Sequence, residues 1–377
     1  MSYEKIEIGR LVALRQGFAI NKKTNHHISD EPTNLHLLRI GDMKDGNFSI
    51  FVKNTIPEKF IAKESDVIFT RTGQVGLVFR KQYGVVHNNC FTVTTIDEDI
   101  LLQGFIYYAL QEKSFYEEAV SRATGAAQPD LSHGAFNSIQ IYLPPIESQR
   151  KITNILNAYD ILIENNKKQI KLLEETAERL YREWFVELHF PGCEDVKIVD
   201  GVPKGWLDGT VGDIALFKRG KTITKAQIHK GNVPVVAGGL EPAYYHNVAN
   251  TVAPVITISG SGANAGFARL YNVDVFASDC SFVDSQTTPY LYWIYCFIKD
   301  SKAKLDSLQK GAAQPHVYAK DINALKIHIP TDDILDRFCK VVTPYFDKIK
   351  NLQRQNDLLL QARDRLLPRL MSGEVEV

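Results

Sequence analysis

Gly125-Ala126-Ala127-Gln128-Pro129 recurs letter for letter as Gly311-Ala312-Ala313-Gln314-Pro315. The same offset lays Ile139-Gln140-Ile141-Tyr142-Leu143-Pro144 on Leu325-Lys326-Ile327-His328-Ile329-Pro330. It also lays Leu172-Leu173 on Leu358-Leu359 and Arg179-Leu180 on Arg365-Leu366. Upstream, with gaps, Gly17-Phe18-Ala19-Ile20-Asn21-Lys22 is similar to Gly220-Lys221-Thr222-Ile223-Thr224-Lys225. Chance supplies one such match, not several in one order. The 377-residue chain is therefore two copies of one unit.

Each unit has two parts. Residues 1–145 and 191–330 are rich in β-branched and aromatic residues with scattered glycines. Runs such as Asp66-Val67-Ile68-Phe69-Thr70 and Pro254-Val255-Ile256-Thr257-Ile258 predict short strands, and the runs 104–120 and 291–308 predict helices. Residues 146–190 and 331–377 are nearly free of glycine and predict long helices. Pro191-Gly192 and Pro203-Lys204-Gly205 punctuate the passage into the second copy. The expected fold is α+β: two similar α/β domains, 1–145 and 191–330, separated by the helical spacers 146–190 and 331–377, in a pseudo-two-fold internal repeat.

The helical parts carry heptads. Steps of four and three run from Ile152 through Leu156, Tyr159, Ile163, Asn166, Ile170, Leu173, Ala177 and Leu180 to Trp184, and again from Phe338 to Leu370. A sustained 3.5-residue period predicts a coiled-coil seam. Pro344 and Pro368 are expected to limit the second helix, leaving about 345–367 as its dependable stretch. In parallel repeat register Asn166 faces Leu352 and Asn356 faces Ile170, which buries two amides without partners. Run antiparallel, Asn166 meets Asn356, Ile163 meets Leu359, and Tyr159 meets Arg363, whose guanidinium can stack on the ring. The expectation is an antiparallel coiled coil with Asn166 and Asn356 setting its register.

Lys+Arg and Asp+Glu each number 44, so net charge is zero and a uniformly basic nucleic-acid coat protein is excluded. The five cysteines are far apart, with no Cys-x-x-Cys or His/Cys cluster, so no structural metal site is expected. The longest apolar run, Tyr290–Ile298, is too short to span a bilayer, and no apolar signal core follows Met-Ser-Tyr-Glu-Lys. A cytoplasmic protein without membrane contact is expected.

No catalytic residue emerges. Gly220-Lys221-Thr222 has the tail of a phosphate-binding loop, but Ala215 stands where its first glycine belongs. Gly260-Ser261-Gly262-Ala263-Asn264-Ala265 imitates a dinucleotide fingerprint, yet an alternating strand pattern follows it where a helix should; a glycine turn between strands is the better reading. The Asp/Asn-Pro-Pro-aromatic motif with which an amino-methyltransferase grips its target amine is missing. His26-His27 has no third ligand and reads as surface loop, and Ser132-His133 has no nucleophile-elbow context.

Basic windows survive scrutiny better. Between Glu7 and Asp30 there is no acid, while Arg15, Lys22 and Lys23 supply charge. Between Asp213 and Glu241 there is again none, while Lys218, Arg219, Lys221 and Lys225 do. A charge run is usually a solvated face. Its recurrence at matching places in a neutral chain points to phosphate. Arg71, Thr72 and Gln74 in one glycine turn, with Ser261 and Asn264 in the other, complete the candidate DNA contacts.

Four stretches then fall in a telling order: Leu143-Pro144-Pro145-Ile146-Glu147-Ser148-Gln149-Arg150, Leu180-Tyr181-Arg182-Glu183-Trp184-Phe185, Pro203-Lys204-Gly205-Trp206, and Leu366-Leu367-Pro368-Arg369-Leu370-Met371-Ser372-Gly373-Glu374. Over its whole length the chain resembles a specificity subunit of a type I restriction-modification system. It departs from that pattern in lacking Pro-x-Gly-Trp at the start of its first domain and Pro-Pro at Pro330-Thr331-Asp332-Asp333. The resemblance implies two target-recognition domains that each read half of a bipartite site in double-stranded DNA. It implies helices that dock two modification subunits, which methylate adenine N6, and ATP-dependent restriction subunits that join them. It also implies that this chain is no enzyme and holds no cofactor: S-adenosylmethionine, ATP and magnesium belong to the partners. A two-domain coiled-coil adaptor that binds protein is the alternative, told apart by sequence-specific DNA retention. A self-contained methyltransferase is the third reading, disfavoured by the missing motif.

Overall fold

The computed structural model describes residues 3–311 and 314–377. The chain forms two compact units, one of 1–164 with 356–377 and the other of 165–355. No helix among the described residues is long and apolar enough to cross a membrane.

In the first unit a four-stranded antiparallel sheet runs Val12–Gln16, Cys90–Thr95, Val67–Thr70, Val78–Phe79. In the second unit the matching sheet runs Lys218–Arg219, Cys280–Asp284, Val255–Ser259, Ala268–Tyr271, in the same order and sense. Glu4–Glu7 pairs with Gln140–Leu143 in one unit, and Leu207–Thr210 with Lys326–Ile329 in the other. The strands expected around Val67 and Val255 are present and buried. The helical runs differ from expectation, because each is two helices. Gln103–Ala109 gives way to Lys113–Arg122, where the Glu112 carboxylate caps the new helix by accepting from Ser114 N at 3.0 Å. Leu291–Asp300 gives way at Ser301 to Lys302–Ser307.

Two long helices complete the fold, Ile146–Tyr181 and Asp332–Met371. The second corrects the sequence expectation, for it passes through Pro344 and Pro368. A mid-helix proline removes a backbone bond and costs about 3 kcal/mol. Both prolines are exposed. Phe338 and Val342 before Pro344, and Phe346 and Ile349 after it, are buried in one core, and that burial outweighs the lost bond. Leu367, Leu370 and Met371 do the same around Pro368.

The helices are antiparallel in each unit. In the second, the rings of Tyr181 and Trp184 near the end of one helix lie 6.3 and 5.7 Å from Phe338 near the start of the other. In the first, Asp160 accepts from Arg363 at 2.7 Å. The register that sets Ile163 opposite Leu359 also sets Trp184 opposite Phe338. Arg363 does not stack on Tyr159 as expected; it is taken by Asp160 and Asp364, because a buried carboxylate outbids a ring face for a guanidinium. Asn166, in one unit, and Asn356, in the other, are both buried.

Asp160 is 7% exposed and takes three donors: Arg363, Arg80 at 2.7 Å and the Tyr108 hydroxyl at 2.8 Å. Arg80 also lies over the Tyr107 ring at 4.2 Å. The repeat counterpart of Asp160 is Phe346, whose ring stacks on Tyr292 at 4.3 Å. The counterpart of Arg363 is Ala177, also buried.

Two outcomes follow from this packing. Replacing Asp160 by Ala takes the shared carboxylate from Arg80, Arg363 and the Tyr108 hydroxyl and should cost about 3–5 kcal/mol, read as a lowered urea midpoint. The pair Ile163→Cys and Leu359→Cys should form a disulfide under mild oxidation, whereas Ile163→Cys with Ile349→Cys, the parallel pairing, should not.

Candidate nucleic-acid interface

Three segments converge in each unit, and the same backbone bonds hold them. Gly17 N donates to Cys90 O in the first unit as Gly220 N does to Cys280 O in the second. Arg71 N donates to Asn89 O as Gly260 N does to Asp279 O. Gly73 N donates to Pro129 O as Gly262 N does to Pro315 O. Thr124 and Asp130 exchange a bonded pair, as Lys310 and His316 do. The repeated glycines at 17 and 220 are explained here: a Cβ would strike the carbonyl oxygen of His87 or Ser278. The pentapeptide loops likewise need positive φ, +102° at Gly125 and +99° at Gly311. Ala312 and Ala313 lie outside the described residues.

The frame superposes Gln16 with Arg219, Arg71 with Gly260, Thr72 with Ser261, Asn89 with Asp279, and Asp130 with His316. In the first unit Arg71 grips both oxygens of Asp130, at 2.6 and 3.2 Å, and donates to Gln16 Oε1 at 2.9 Å. Thr72 also donates to Asp130. Burial works against the Asp130 charge, but the bonds from Arg71 and Thr72 outweigh it and hold this carboxyl below its usual range. His133 Nε2 lies 2.9 Å from the same Gln16 oxygen. An amide oxygen only accepts, so Nε2 carries the proton and Nδ1 is left as an acceptor. Burial first, then Arg71, push the His133 pKa down, against an opposing pull from Asp130, and so favour the neutral ring.

In the second unit Ser261 donates to Asp279, and Arg219 approaches the other Asp279 oxygen at 3.9 Å. The His316 ring stacks on Tyr318 at 6.0 Å. Arg219, Asp279, His316 and Tyr318 line a cavity of about 30 Å³.

The candidate residues therefore divide. Arg15 points to the opposite side of its strand from Gln16 and is bound by Asp66 at 2.8 Å and Thr92 at 3.2 Å; it belongs to the domain's own packing. Arg71 and Thr72 are closed onto Asp130. Gln74 accepts from Lys44 at 2.8 Å. Ser261 holds Asp279, and Asn264 lies half-buried in the turn Gly262–Asn264. Lys22, Lys23, Lys218, Arg219, Lys221 and Lys225 are exposed. Sequence reasoning missed Gln16, Asp130, His133, Asp279 and His316. A signal was present, since Asp130 and His316 directly follow the repeated pentapeptide.

Residues 2–175 and 203–360 match the family described as type I restriction modification DNA specificity domain. The chain belongs to this family. Among curated relatives, the MjaIX specificity subunit of Methanocaldococcus jannaschii is 27% identical over 360 residues, covering 89% of this chain and 81% of that protein. The HindI specificity subunit of Haemophilus influenzae is 21% identical over 405 residues, covering 83% and 87%. A type I restriction-modification S subunit from M. genitalium shares the fold, with a TM-score of 0.56 at 19% identity over 98% of this chain and 96% of that one. Within the specificity family, a doubled frame of target-recognition domains on paired helices is the architecture this chain displays.

Replacing Lys22, Lys23, Lys221 or Lys225 singly by Ala should weaken binding to every duplex alike. It should also reduce the slope of log affinity against log salt by about one unit for each phosphate left unneutralised. An unaltered slope returns that lysine to the solvated surface.

Proposed function

We propose that this chain is the DNA sequence-specificity subunit of a type I restriction-modification enzyme, reading a bipartite site with one half in each recognition domain. The observation that carries the reading is one backbone frame present twice with different polar side chains on it. Two copies built to do one thing have no reason to differ there; two copies built to read different base sequences do. The relatives' names as specificity subunits support it.

In this reading the chain catalyses nothing. Methyl transfer from S-adenosylmethionine to adenine N6 is the work of two docked modification subunits, and ATP- and magnesium-dependent restriction is the work of further subunits. The setting is the cytoplasm, where the DNA is. The exposed lysines of both domains hold the phosphate backbone, and side chains mounted on each frame read base edges.

The deciding experiment assembles the full chain with a modification subunit and maps methylated adenines on genomic DNA. The complex should methylate one bipartite motif, and neither component alone should. Exchanging residues 1–145 for the first domain of another specificity subunit should change one half of the motif only. Methylation by this chain in isolation would overturn the division of labour, and retention on protein but not on DNA would establish the adaptor.

A further inference from the structure

We propose that Arg219 is a base-reading side chain of the second domain, presented to a guanine of its half-site, and that Asp279 and Ser261 are its positioning residues. The assignment rests on the DNA-specificity reading above. Arg219 ends its strand next to Gly220, where the close pass of the chain admits no side chain. Its side chain is 68% exposed, and one guanidinium nitrogen leans toward Asp279 at 3.9 Å. Asp279 is itself fixed, because it accepts from Ser261 through its side chain and from Gly260 N through its carbonyl at 3.1 Å. A guanidinium steered by a carboxylate at one edge keeps its remaining donors as a planar fork. The N7 and O6 of guanine in the major groove are the acceptor pair that such a fork fits.

Two observations separate this role from plain phosphate binding. A carboxylate beside the arginine repels the full charge of a phosphate more strongly than the partial charges on the edge of a base pair. The first domain supplies the contrast. The position matching Arg219 is Gln16, whose oxygen already accepts from Arg71. Arg71 is 20% exposed and closed onto both oxygens of Asp130. One frame thus carries a closed guanidinium in one copy, Arg71, and an open one at a different position in the other, Arg219, which suits a pair of domains reading unlike half-sites.

The test uses the full chain assembled with its modification subunits, presented with a pool of randomised duplexes, and reads the methylated motif. Arg219→Gln should lose the preference for guanine at one position of one half-site, with discrimination there falling roughly 5- to 150-fold. The other half-site should be unchanged. Arg219→Lys should keep overall binding but lose part of that discrimination, because an ammonium lacks the planar fork that fixes the approach to N7 and O6. Asp279→Asn and Ser261→Ala should weaken the same position partly, and only that position. A motif unaltered in Arg219→Gln, with uniformly weaker binding and a salt slope shallower by about one unit, would make Arg219 a phosphate ligand and overturn the proposal. Loss of preference in both half-sites at once would make it a structural residue and also overturn it. If the unmutated complex shows no sequence preference, the specificity reading itself falls, and Arg219 with it.

Discussion

A chain that contains the same unit twice must keep each helix half from finding the wrong partner, and a buried carboxylate enforces that choice. Asp160 is satisfied only where Arg80, Arg363 and the Tyr108 hydroxyl converge on it. In a parallel, repeat-register pairing it would fall beside Phe346, and an unpaired buried charge costs several kcal/mol. In the second unit Phe346 lies among Tyr292 and Tyr295, an aromatic setting rather than an ionic one. One seam therefore uses two incompatible chemistries, ionic in one unit and aromatic in the other. The difference does not increase stability as such; apolar residues would pack as well. It makes the alternatives worse, and it does so at positions related by the repeat.

The same division between shared backbone and unlike side chains governs the recognition domains. Each domain's frame is held by backbone bonds and by glycines at 17 and 220, where a Cβ would strike a backbone carbonyl. Those features carry no base information, so both copies can retain them. The side chains mounted on the frame are free to differ, and they do: Gln16, Arg71, Asp130 and His133 form a closed network, while Arg219 stands open beside Asp279. A closed network positions a loop at low entropic cost, whereas an open, steered donor is available to a ligand. The exposed lysines around each frame supply charge that any duplex can use.

Repetition, period and missing motifs are legible from residues alone. Gly125–Pro129 and its copy reveal two units, the heptads from Ile152 and Phe338 reveal the seam, and the placing of Asn166 and Asn356 on it favours antiparallel pairing. The proline limits on the second helix fail, since local propensity at Pro344 says nothing about the buried Phe338, Val342 and Phe346 that hold the helix through it. Arg15 and Gln16 are neighbours in sequence with opposite fates, because strand alternation turns one toward Asp66 and the other toward Arg71 and His133. Asp130 is invisible as the partner of Arg71, because 59 positions of chain separate the two. The sequence by itself determined the doubled architecture and the helical seam, which are repeated and periodic, and it favoured the seam's direction through the residues placed along it. Only the tertiary structure decided which arginines are shut and which is open, because that depends on contacts between segments far apart in the chain.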